Sequence, residues 1–74
     1  MQIHDQKLAA LLIESALHAT PEGKVPVTTL LRHPAFFPFE LPMLSGDSLS
    51  KTSGNIELIR HGLNDEILML KHQP

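Results

Sequence analysis

Ile56-Glu57-Leu58-Ile59-Arg60 and Glu66-Ile67-Leu68-Met69-Leu70-Lys71 are two apolar runs separated by His61-Gly62-Leu63-Asn64-Asp65, and how they are read decides the fold. At period 2 they make a β-hairpin. At a period of about 3.6, Ile56, Ile59, Leu63, Ile67 and Leu70 fall on one helical stripe. A third option is two short helices broken at Gly62, with Asn64 capping the second. In the hairpin, Ile56, Leu58 and Arg60 share a strand face and Glu57 and Ile59 take the other. On the return strand Ile67, Met69 and Lys71 alternate with Leu68 and Leu70. Gly62, Asn64 and Asp65 are turn formers. Gly62 inside a helix costs about 1 kcal/mol, and Asn64 and Asp65 add to that. The hairpin is the favoured reading, and it makes the chain a small α+β domain; the helical alternative makes an all-α small bundle.

The rest of the composition limits what such a domain can do. Seventy-four residues are read as one domain, residues 1–74. A chain of this size buries only about 60% of its unfolded surface, so a partner or a second copy is an attractive source of further burial, and a homodimer is one expected form. The sequence is 42% hydrophobic and 19% charged, which favours folding over disorder. Cysteine is absent, which removes disulfides, thiolate zinc sites and thiol nucleophiles. Six Lys and Arg stand against eight Asp and Glu, a net charge of −2, which disfavours extensive phosphate contacts. With three Phe and no Tyr or Trp, stacking platforms for single strands are scarce. Met1-Gln2-Ile3-His4-Asp5 lacks the basic flank of a secretory signal, and no apolar run reaches membrane-spanning length. A soluble cytoplasmic protein with no membrane contact is the expectation.

Ahead of the hairpin, Asp5 to His18 reads as a helix. Asp5 is a good N-cap, and Ala, Leu, Lys, Gln and Glu dominate the residues after it. Leu8, Leu11, Leu12, Ala16 and Ala19 line one face, and Ala9, Ile13 and Leu17 widen it. So broad a stripe predicts a central helix covered on more than one side. Thr20-Pro21-Glu22-Gly23 ends it. Lys24-Val25-Pro26-Val27 reads as extended, on an edge because Pro26 cannot donate to a ladder. Thr28 is placed to cap a short helix through Arg32, which ends before Pro34.

Pro34, Pro38 and Pro42 then forbid a regular helix and a central strand alike. Phe36, Phe37 and Phe39 all lie in this segment, which reads as a rigid connector whose rings plug the core beneath it. Met43 and Leu44 continue it as a single helical turn. From Ser45 to Asn55 the chain is polar. Asp47 is placed to cap a short helix ending at Gly54, with a mobile loop as the alternative.

Gly23-Lys24-Val25-Pro26-Val27 before a helix, and Leu49-Ser50-Lys51-Thr52-Ser53 leading into Ile56-Glu57-Leu58, give this chain an order that resembles a winged-helix domain. Within that superfamily the spacing is most similar to the La-motif type, over about residues 5 to 72. The resemblance implies the fold: helix, short strand, short helices, C-terminal hairpin. La-type modules hold RNA 3′ ends with aromatic and acidic residues around the first helix. Here that region has no aromatic residue, so those roles are not carried over.

Candidate chemistry is sparse. His4, His18, His33, His61 and His72 contain no i, i+4 pair of the sort that builds zinc sites on helices, so no metal or other cofactor is expected. Glu14 with His18, and His61 with Asp65, have the spacing of helical surface pairs. The serines between Ser45 and Ser53 sit in no nucleophile-elbow pattern, and neither glycine stretch there ends as a phosphate-binding loop does. A non-enzymatic binding module or regulator is the reading that remains. Its leading form is protein–protein interaction, with Phe36, Phe37 and Phe39 as candidate anchors. The alternative is nucleic-acid binding of transcriptional-regulator type, in which Ser48, Ser50, Lys51 and Thr52 face the groove and Arg60, His61 and the nearby Lys71 meet phosphates.

Overall fold

In a computed structural model the two C-terminal runs are strands, and they close a sheet that the rest of the chain packs onto. The structure describes residues 3–62 and 65–71. Leu63 and Asn64 of the connector, and His72, lie outside the described residues. Strands β2 (Ile56–His61) and β3 (Asp65–Leu70) pair antiparallel, with Leu58 opposite Leu68 and His61 opposite Asp65. Gly62 takes φ +80 where the turn begins, a conformation that only glycine adopts without strain. The short strand β1 (Lys24–Pro26) pairs with the other side of β3, giving the order β1-β3-β2. Pro26 sits on that outer strand, as its missing N–H requires. The domain is therefore α+β, and the all-α alternative does not hold.

Three helices cover the inner face of the sheet. Helix α1 (Gln6–His18) opens at Asp5, whose carboxylate accepts from the Leu8 N–H at 3.0 Å. Helix α2 spans Val27–Leu31 and α3 spans Gly46–Thr52. The first of these starts one residue before Thr28, so Pro26 stands at its N-cap and Thr28 is not a cap. Ser45, not Asp47, caps α3: its hydroxyl accepts from the Ser48 N–H at 3.1 Å, and Asp47 lies within the first turn. Both residue types cap well, so spacing alone does not separate them.

The core joins Ala9, Ala10, Ile13 and Leu17 of α1 to Leu49, Ile56, Leu68, Phe36 and Phe39. Among the described residues every buried side chain is apolar. Helix α1 is covered on one side only. Its contact face is Ala9, Ala10, Ile13 and Leu17, while Leu8, Leu11 and Leu12 face solvent at 37, 61 and 37% exposure. The expectation of cover on more than one side is corrected accordingly.

Gly46 shows how closely α3 approaches the hairpin. A Cβ there would stand 2.6 and 2.9 Å from the two methyl carbons of Leu58. Because the whole end of that side chain would have to move, Gly46→Ala is expected to cost about 1–3 kcal/mol, seen as a lower urea midpoint.

Candidate interaction surface

The proline-rich segment holds the most exposed apolar side chains of the domain among the described residues. It runs as two 3₁₀ turns, Pro34–Phe36 and Leu41–Leu44. The first is fixed by the His33 ring, whose Nδ1 accepts from the Ala35 N–H at 3.1 Å. The second leans on α1, where the Gln6 side-chain amide donates to the Met43 carbonyl at 2.8 Å. Ile3 donates its N–H to the Pro38 carbonyl at 2.8 Å and bridges to Phe39, so the stretch between the turns is also held.

Phe36 ends the first 3₁₀ turn, and Phe39 lies beyond it, where its N–H donates to the Phe36 carbonyl at 3.1 Å and its backbone bridges to Ile3. They are 4 and 5% exposed, with ring centroids 6.5 Å apart, and they belong to the core. Phe37 points the other way and is 66% exposed. The idea of three aromatic anchors is corrected on this point: Phe36 and Phe39 are not available to a partner and Phe37 is.

Phe37 is joined by two residues that sequence reasoning did not single out. Leu31 ends α2 and Leu41 opens the second 3₁₀ turn; they are 38 and 70% exposed. With Phe37 and Pro42 they rim a shallow groove of about 620 Å³, floored by Phe36, Phe39 and Leu44. Glu40 supplies a polar edge, its carboxylate 3.4 Å from His4 Nδ1. No sequence signal separates Leu41 from Phe39, which lies between the same two prolines and is buried.

The residues proposed for nucleic acid are arranged less favourably. On α3 the hydroxyls turn back onto their own helix: Ser50 donates to the Asp47 carbonyl at 3.1 Å and Thr52 to the Ser48 carbonyl at 2.7 Å. The Ser48 side chain is half-buried, and its N–H is taken by the cap. Lys51 is exposed and makes no ion pair with the described residues. Arg60 is half-exposed and paired: its guanidinium lies 3.3 Å from Asp47 and 3.0 Å from Glu66. The Asp47 charge first, then the hydrogen bond to Glu66, push its pKa further up, so it stays a cation already matched by two carboxylates. His61 is exposed beside Asp65, its directly opposite partner across the hairpin rather than a helical neighbour.

Lys71 does not stand near these groups. Its N–H donates to the Asn55 carbonyl at the open end of the hairpin, which at about 3.3 Å per residue is roughly 15–20 Å from the Arg60 end. Glu14 likewise leaves His18 aside and accepts from Ser53 and Asn55 at 3.3 and 3.0 Å, tying α1 to the start of β2. Among the described residues no three His, Asp or Glu side chains converge as a metal site would require. No helix among them is long and apolar enough to cross a membrane. No family model, curated protein or solved structure matches this chain.

Proposed function

We propose that this domain is a non-enzymatic binding module that engages a protein partner through the surface around Phe37. The observation that carries the reading is the split among the three phenylalanines. Two are buried in the core, and the third is exposed with Leu31 and Leu41 beside it. An aromatic side chain has few rotatable bonds, so a partner can bury it at little cost in conformational freedom. Absence of cysteine is compatible with the cytoplasmic location we propose for it.

A winged-helix type of nucleic-acid binding is the second reading. The order α1–β1–α2–α3–β2–β3 and the open Lys51 on α3 favour it. Against it stand Asp47 and Glu66, which match the Arg60 charge, and Asp65 beside His61. Phosphate contacts gain from releasing counterions to cations that are free, and among the described residues Lys51 is the free cation of that face.

Co-purification from an extract of the organism that makes the protein tests the two readings together. The expected result is a stoichiometric protein companion that survives nuclease treatment and is lost with Phe37→Ser. Recovery of nucleic acid instead, unaffected by Phe37→Ser and lost with Lys51→Ala, would overturn the protein-partner reading.

A further inference from the structure

Helix α1 carries a second apolar surface that the Phe37 groove does not use. Leu8, Leu11 and Leu12 form a stripe along its solvent side, with Leu11 the most exposed at 61%. Next to Leu12 the stripe borders an apolar recess of about 290 Å³, walled by Ala16, Val25, Leu30 and Phe36. Leucines at 8, 11 and 12 on an exposed side are a ridge, and the recess at Ala16 is a hole two turns further along the same helix.

The charges flanking the stripe are disposed around the same centre. Lys7 lies four residues before Leu11 and Glu14 three residues after it, both on one flank of the stripe. Neither forms an ion pair with the described residues; Glu14 keeps its hydrogen bonds to Ser53 and Asn55. A two-fold axis between Leu11 and Leu12 exchanges the two ends of this pattern. We propose that the occupant of the α1 surface is a second copy of this chain, its α1 packed antiparallel. Leu11 then lies against Leu12 of the second copy, Leu8 enters the recess beside Ala16, and Lys7 comes alongside Glu14.

Self-complementarity is what selects a second copy over another protein. An isologous contact must present ridge to hole and cation to anion across one axis, and this helix does both. Antiparallel helices also pack by placing such ridges into the grooves of the facing helix. The helix is about 20 Å long at 1.5 Å per residue, so the contact is of modest size, and a dissociation constant of roughly 10–100 µM is expected.

Sedimentation velocity from 5 to 500 µM tests this. Wild type is expected to pass from monomer to dimer over that range. Leu11→Lys should remain monomeric with an unchanged far-ultraviolet spectrum, because the side chain it replaces is exposed. Lys7→Glu should weaken the dimer by about fivefold or more, through like charges facing each other at Glu14. Because the chain has no cysteine, Leu11→Cys gives a clean second reading. Under mild oxidation it should form a covalent dimer at least tenfold faster than Lys51→Cys on α3. A wild type that stays monomeric at 500 µM, a dimer that persists in Leu11→Lys, unchanged affinity in Lys7→Glu, or equal cross-linking at positions 11 and 51 would each overturn the proposal.

Discussion

Leu68→Ala is expected to leave the domain largely unfolded at room temperature. Leu68 is fully buried at the middle of the central strand, directly opposite Leu58 on one side and Val25 on the other. It belongs to the same buried cluster as Ile13 and Leu17 of α1. Truncating a buried leucine costs about 2–5 kcal/mol, from lost transfer energy and the cavity left behind. A single core of this size supplies about 3–5 kcal/mol in total, with no disulfide to help. The penalty is therefore as large as the stability. Circular dichroism during urea unfolding should show no folded baseline for Leu68→Ala. The same change at exposed Leu41 should move the midpoint little, since surface substitutions stay within about 0.5 kcal/mol.

Among the phenylalanines the expected outcome splits sharply. Phe36→Ala and Phe39→Ala each remove a buried ring and should cost about 3–5 kcal/mol, enough to abolish cooperative unfolding. Phe37→Ala should change stability by no more than about 0.5 kcal/mol while removing the exposed ring. Thermal melts of the three variants side by side decide the matter. Three equal losses would mean that Phe37 is part of the core and that no aromatic anchor is displayed.

Those two results rest on features of unequal legibility in the sequence. The hairpin was readable because Gly62 penalises a continuous helix while the flanking runs tolerate a strand. Helix α1 was readable from Asp5 and its run of good helix formers, but its buried face was not. Leucines at 8, 11 and 12 and a second row at Ala9, Ala10, Ile13 and Leu17 both satisfy helical spacing. What decides between them is which row the sheet and α3 cover, a property of the partner surface. Hydropathy alone ranks the leucines first, so it selects the wrong side.

Which of the three phenylalanines the fold exposes was not legible. A cluster of phenylalanines among prolines marks both a core plug and a display surface, and the split is set by irregular backbone: Phe36 ends a 3₁₀ turn, Phe39 bridges to Ile3, and Phe37 lies between them. That Asp47 and Glu66 lie among the cations was visible in the sequence; that both close on Arg60 was not, since Asp47 and Arg60 meet only in the folded chain.

The measurement that bears most directly on the Phe37 surface is the salt dependence of the isolated complex for wild type, Phe37→Ser and Lys51→Ala. A partner held by that surface predicts affinity that changes little between 50 and 500 mM salt. Phe37→Ser should then bind about tenfold or more weakly at every salt concentration, and Lys51→Ala should stay within about twofold of wild type. Affinity that falls steeply with salt, is cut by Lys51→Ala and is indifferent to Phe37→Ser would contradict a Phe37 contact and place the partner on α3 instead.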